Sequence, residues 1–294
     1  MKGLDSLYFV ESIIDGLEDY DSVYKSYINN ILSFEKVRSF TTRKVAEEEV
    51  SILLIFKDSK DDEIQRLLDR SEITEIRKEL EFLELTKDIR IAKLKEDAYQ
   101  IIKKKYLARI AANKEILQKM RQIGVVSNTM YFENYIYDFY KHVFIQKPEV
   151  FKSEKKIDIT YEEAIDCLTD PAFREMICEK VIQRIMSGTK EEWFDFIKTR
   201  MGVTVEFDSR LREVLAVRNC YVHNNGRVDR SLQSINPKFS LKSPIILSEE
   251  EYLDYTLVLN KKAGDIWTGY CKKFSIEDNL VEATKRAYRL LRKE

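Results

Sequence analysis

EIQRLLDRSEITEIRKELEFLELTKDIRIAKLKEDAYQIIKKKYLARIAANKEILQKM, residues 63 to 120, contains neither glycine nor proline. The same holds for the whole interval from Leu17 to Ile123. Its dominant residues, Glu, Lys, Leu, Ile and Arg, lose little rotamer freedom in a helix, and nothing in the run supplies a tight chain reversal. Such a segment predicts long helices. Residues 61 to 122 are expected to form one long helical hairpin of coiled-coil-like composition, and the fold class is expected to be all-α.

On the amino-terminal side, LYFVESIIDGL, YKSYINNILSFEKV and RKVAEEEVSILLIF carry apolar residues at intervals of three and four. That spacing makes inward-facing stripes and predicts two or three further helices. The hairpin itself is lopsided in charge. Residues 61 to 85 are mostly acidic, whereas 101 to 122 hold Lys103, Lys104, Lys105, Arg109, Lys114, Lys119 and Arg121 against Glu115 alone. Charge runs are usually solvated helix faces; the sharper reading is a track for phosphates. Gly124 is the first helix breaker after the run. A boundary placed there divides the chain into an amino-terminal helical region, 1 to 122, and a second helical domain, 123 to 294.

The second part is punctuated more regularly. Thr160 with Glu163, Thr189 with Glu192, Ser248 with Glu251, and Ser275 with Asp278 each place a hydroxyl three residues before an acid, the capping-box spacing that starts helices. EEWFDFIKTRM should stop at Gly202. A short extended VTVEF then leads to Asp208 or Ser209, either of which can cap SRLREVLAVRNCYVH. Gly226 ends that helix. Residues 229 to 247 contain Pro237 and Pro244 with almost no helical pattern, and they read as a long loop of the kind that is often functional.

Composition narrows the function classes. The chain of 294 residues is 44% hydrophobic and 34% charged, with 50 basic against 51 acidic side chains, so any site for a polyanion must be local. Cys167, Cys178, Cys220 and Cys271 form no Cys-x-x-Cys pair, the start has no signal-peptide pattern, and the longest apolar run, VSILLIF at 50 to 56, is too short to span a bilayer. A cytoplasmic protein with reduced thiols and no membrane association is expected. Two histidines and no paired cysteines leave zinc without its usual ligands, so no metal and no cofactor are expected. GDIWTGYC, 264 to 271, imitates a phosphate loop but lacks the Lys and the Ser or Thr. His142 and the aromatics between 131 and 144 read as core.

RNCYVHNNG, 218 to 226, carries the remaining chemistry. At about 100° per residue, Leu211, Val214, Leu215, Tyr221 and Val222 form one apolar stripe with Arg218 near its centre, and Asn219 and His223 share its edge. A guanidinium in such a stripe needs a partner. Two are open. One is an internal carboxylate, with a backbone contact for His223 at the helix end. The other is a bound phosphate, which Arg grips with two hydrogen bonds, beside an imidazole, the side chain suited to proton transfer near neutrality.

Arg218 and Asn219, three intervening residues, then His223 and the Asn224-Asn225-Gly226 turn resemble the Arg-x4-6-His motif of HEPN-domain ribonucleases, which occur in many prokaryotic toxin and antiviral systems. NTMYFENYIYDFYKHVFIQKPEVF, 128 to 151, is similar to the opening helix of that family, and EEWFDFIKTRMGV with RLREVLAVRNCYVHNNGRVD to its later core. The resemblance covers about residues 123 to 290. It implies a HEPN-like helical bundle acting as a metal-independent endoribonuclease, dimeric through the motif helix. His223 would assist proton transfer as the ribose 2′-hydroxyl attacks phosphorus, Arg218 would stabilise the phosphorane, and Asn219 would orient one or the other. RNA would be cut to a 2′,3′-cyclic phosphate and a 5′-hydroxyl, with Lys103, Lys105, Arg109, Lys238 and Lys242 holding its backbone. The setting would be a toxin or antiphage effector with an antitoxin or regulatory partner. Where one subgroup carries a modifiable tyrosine two residues after the histidine, this chain has Asn225. The alternative is a non-catalytic HEPN-like module that binds nucleotide or RNA or simply dimerises, and a third reading is a purely structural scaffold.

Overall fold

The computed structural model describes residues 22–54, 96–152, 160, 172–276, 280, 281 and 284. Among these residues the regular structure is helical: α1 (Val23–Leu54), α2 (Glu96–Gln146), a 3-10 turn (Pro148–Phe151), α3 (Ala172–Met186), α4 (Lys190–Met201), α5 (Ser209–His223), α6 (Arg230–Ile235) and α7 (Glu249–Phe274). The one β-type pairing found among them is an isolated antiparallel bridge between Arg227 and Pro244. The LYFVESIIDGL helix, residues 61–95 of the hairpin, the helix expected after Thr160, Cys167 and Asp278 lie outside the described residues.

The two helices expected across YKSYINNILSFEKV and RKVAEEEVSILLIF are one. The Ser-Phe-Thr-Thr stretch between them has low helix propensity but no breaker, and the Thr41 hydroxyl donates back to the Val37 carbonyl (2.9 Å). Glu47 then accepts from Arg43 (2.8 Å) and Lys44 (2.9 Å), one turn away, which supports the helix beyond the join.

Gly124 likewise breaks nothing, because α2 runs through it. A Cβ at this position would lie 2.5 Å from the ring of Tyr252, which is fully buried and whose hydroxyl accepts from Asn128 Nδ2 (3.1 Å). Glycine is present so that α7 can approach closely. Gly124→Ala is expected to destabilise the fold by about 1–2 kcal/mol in chemical denaturation: overpacking outweighs the roughly 1 kcal/mol gain in helix propensity. A stabilised variant would mean that the ring can move aside freely.

The chain divides into two compact units. Residues up to Phe34 and from Ile123 onward form one, and Glu35–Gln122 form the other, so α1 and α2 each contribute to both. In the second unit Val45, Ile52 and Ile110 are buried, and Glu48 accepts from Arg109 (2.8 Å) and Asn113 (3.2 Å). The first unit holds the larger core. Phe132, Tyr135, Ile136, Phe139, Tyr140 and Val143 recur at three and four along α2 and are buried with Trp193, Phe194 and Ile197 of α4, Val214 and Val217 of α5, and Leu259, Ile266 and Tyr270 of α7. The phenols find acceptors within it: Tyr135 donates to the Ala263 carbonyl (3.0 Å) and Tyr140 to that of Trp193 (2.7 Å). The aromatic run is core, as its spacing suggests. His142 packs at a tilt against Trp267 and edge-on to Tyr270, and burial pulls its pKa down.

Helix ends follow the capping rules where these are local. Thr189 with Glu192 and Ser248 with Glu251 form complete capping boxes, and Gly202 closes α4 in the left-handed region (φ 66°). Ser275 ends α7 as a left-handed C-cap (φ 54°) and so does not itself cap the next helix, although residues 280, 281 and 284 beyond it are helical, as the Ser275–Asp278 spacing leads one to expect. The 229–247 segment also departs from the loop expected there. Asp229 caps the short α6 by accepting from Leu232 N (2.7 Å), and Leu232, Phe239, Ile245 and Leu247 are buried in the core.

Candidate active site

α5 is fixed at both ends and underneath. Asp208 caps it by accepting from Leu211 N (2.9 Å), and its other oxygen takes Lys262 Nζ (2.5 Å), which also donates to the Glu206 carbonyl (2.8 Å). Glu213, 5% exposed, accepts from the Tyr255 hydroxyl (2.7 Å) and from Arg210 (2.6 Å), and Arg210 also pairs with Asp254. Burial by itself would raise the Glu213 carboxyl; the bonds from Tyr255, Arg210 and Asn236 outweigh it and hold the pKa below the usual glutamate range.

The carboxyl end turns sharply. Asn225 (φ 49°) and Gly226 (φ 70°) are both left-handed, and Gly226 N donates to the Cys220 carbonyl (2.9 Å). Only glycine takes that second conformation at little cost. The chain beyond is clamped: Val228 N donates to Ser243 O (2.9 Å), Lys242 N to Val228 O (2.9 Å) and Ile245 N to Gly226 O (2.8 Å). Asn224 Nδ2 bonds the Arg227 carbonyl (2.8 Å). The residues after His223 are thus a folded strap.

On α5 the apolar face differs from the expected stripe. Leu211, Val214 and Leu215 are buried together with Ala216, Val217 and Cys220, but Val222 is 45% exposed. Arg218 therefore lies at the edge of the core, with its side chain 23% exposed. The strap turns back at Gly226, whose N–H donates to the Cys220 carbonyl, and Val222 is left exposed. Asn219 and His223 are exposed.

Of the five N–H donors of a guanidinium, Arg218 commits one at hydrogen-bond distance, Nη1 to Asn219 Oδ1 (3.0 Å). Nη2 lies 3.9 Å from Glu133 Oε2, a charge contact beyond hydrogen-bond length, and the shielded Nε has no acceptor. His223 makes no hydrogen bond or ion pair with any described residue. The internal carboxylate weighed for Arg218 is therefore present but loosely held, and the backbone contact weighed for His223 is not formed.

Two residues that the motif did not flag complete the surroundings. Glu133 of α2 turns its other oxygen to Lys190 Nζ (3.0 Å), and the Lys190 ammonium sits 3.4 Å from the centre of the Trp193 ring. Burial draws the Lys190 pKa below its usual value; the Glu133 bond and charge oppose this, and the nearby Arg218 charge adds to it. The sequence offers a faint signal for Glu133, an acid within the aromatic run YFENYIY, and none for Lys190 beyond its place after the capping Thr189.

The residues expected to hold RNA are scattered. Lys103, Lys105 and Arg109 belong to the other unit, where Arg109 pairs with Glu48. Lys238 pairs with Glu251 (2.7 Å) and lies over Phe239, at a concavity of about 270 Å³ lined also by Ser240, Ser243, Pro244 and Ile246. Lys242 is exposed in a left-handed turn (φ 63°), its carbonyl accepting from Arg227 Nη1 (3.1 Å). Among the described residues no group of three His, Cys, Asp or Glu side chains is placed to hold a metal ion, no helix is long and apolar enough to cross a membrane, and Cys178, Cys220 and Cys271 are buried and not joined in disulfides.

Fold and site together define a helical protein with an Arg-Asn-x3-His helix end beside a carboxylate that bridges two cations. No protein-family model, curated protein or solved structure matches the chain.

Proposed function

We propose that this protein is a metal-independent endoribonuclease of the HEPN type, acting as a toxin or antiphage effector. The observation that carries the reading is the state of Arg218 and His223 at one uncovered helix end. Among the described residues the guanidinium commits one donor at hydrogen-bond distance, and the His223 imidazole is exposed with no side-chain hydrogen bond to any of them. The 2′-hydroxyl gives its proton to the His223 imidazole and attacks the adjacent phosphorus, Arg218 stabilises the charge that develops on the phosphoryl oxygens, and the P–O5′ bond breaks as an imidazolium donates a proton to the leaving 5′-oxygen. Five residues place the two side chains about 140° apart around α5. A second copy of the helix, meeting the first across the exposed Val222, supplies the complementary group from the opposite side, so the working form is a homodimer with a composite site.

Purified protein incubated with single-stranded RNA in excess chelator is expected to release 2′,3′-cyclic phosphate and 5′-hydroxyl ends and to leave DNA of the same sequence intact, since DNA lacks the nucleophile. Binding of RNA without cleavage under all conditions would instead favour a non-catalytic module.

A further inference from the structure

The carboxylate of Glu133 lies between two cations. One oxygen faces Lys190 at 3.0 Å and the other faces Arg218 at 3.9 Å, so two cations from α4 and α5 converge on one two-oxygen anion contributed by α2. A phosphodiester presents the same feature, two non-bridging oxygens sharing one negative charge. The Glu133 and Lys190 side chains are 22% and 35% exposed, so the cluster opens to solvent. With Glu133 counted, the three groups retain one net positive charge. The Lys190 ammonium lies over the face of the Trp193 ring, 3.4 Å from its centre, a cation–π contact that favours this position.

We infer that Lys190 is a second phosphate-binding residue of this site, and that Glu133 is an internal stand-in which holds Lys190 and Arg218 in place until an RNA phosphodiester displaces it. The inference rests on the ribonuclease reading for the identity of the ligand, but it concerns binding and can be measured without catalysis. Displacing Glu133 costs the loose contact to Arg218 and the bond to Lys190. What replaces them is a grip by the terminal guanidinium nitrogens, Nη2 and the second hydrogen of Nη1, which are not committed at hydrogen-bond distance to any described residue; the shielded Nε takes no part.

The test uses the full chain and a short fluorescent single-stranded RNA carrying 2′-O-methyl groups throughout, which cannot be cleaved, with affinity read by anisotropy across a salt series. Lys190→Gln is expected to weaken binding about tenfold and to lower the slope of log affinity against log salt by about 0.7, the value for one phosphate contact on a single strand. Lys190→Arg restores both. Lys198→Gln, an exposed charge on the same helix, leaves the slope unchanged. Glu133→Gln removes the competing anion and tightens binding about threefold or more, a gain that misfolding cannot produce.

An unchanged slope in Lys190→Gln, weaker binding in Glu133→Gln, or no binding of the probe by the wild-type chain would overturn the inference. The two readings fail separately. Native RNA cleaved with no dependence of binding on Lys190 sinks only the present one, whereas Lys190-dependent binding with no cleavage sinks only the ribonuclease.

Discussion

His223→Ala loses RNA cleavage by about 10²–10⁴-fold, the usual contribution of a positioned general acid or base, while its melting temperature stays at the wild-type value. The second half of that result follows from the structure. His223 is the last residue of α5, is exposed and bonds to no described residue, so its removal leaves no buried donor and no cavity, and surface changes of this kind fall within about 0.5 kcal/mol. Arg218→Ala is expected to cost about 10²–10³-fold, with a modest loss of stability because its stem is partly buried. Arg218→Lys recovers little, since a point charge cannot form the fork. A composite site adds a sharper requirement. Each single variant is nearly inactive alone, but an equimolar mixture allowed to exchange subunits regains part of the activity, because the mixed dimer carries one Arg218 and one His223. Initial rates and thermal melts of the same preparations decide the matter. Full activity in His223→Ala would end the enzymatic reading, and a fall in melting temperature with no activity to lose would leave a scaffold.

How much of this was legible in the chain depends on the range of the interaction that decides each feature. Capping boxes at Thr189 and Ser248, the stop at Gly202 and the cap at Asp208 are contacts within five residues, and such local spacing is readable in the sequence. The all-helical class follows from the same local chemistry over the described residues. Gly124 was misread because its reason lies at Tyr252, far along the chain, where a ring needs the space that a side chain would fill. α6, six residues long, is too short to show an apolar period, so its Asp229 cap carries no signal by itself. Val222 was placed on a buried stripe because a helical wheel does not know where the covering strap ends. The candidate site divides in the same way. Arg218, Asn219 and His223 are contiguous and readable, whereas Glu133 and Lys190 join them only through the packing of α2 and α4 against α5.

The contrasting expectation concerns Glu213, on the buried side of the same helix. Its carboxylate is the shared acceptor of Tyr255 and Arg210 and ties α5 to α7. Glu213→Ala leaves the buried Tyr255 hydroxyl without its acceptor and removes one of the two carboxylates around Arg210. The guanidinium is partly exposed and keeps Asp254, which limits the charge penalty, so a total loss of about 3 kcal/mol is expected in chemical denaturation. Glu213→Gln, which still accepts from the phenol, costs about 1 kcal/mol. The pH dependence has a definite sign. Because the folded carboxyl titrates below its unfolded value, the native state binds fewer protons, and the stabilisation is complete above the unfolded glutamate pKa, about 4.3, and fades as pH falls through the folded value. Melting temperature in the wild type should therefore decline below that point more steeply than in Glu213→Gln, and equal slopes would show that the network contributes nothing. If the protein cleaves RNA as proposed, activity per folded molecule should survive in Glu213→Gln, since this side of α5 faces the core: on that reading the inner face of one helix governs stability and its outer end governs chemistry, so the two classes of variant should separate cleanly in melts and rates.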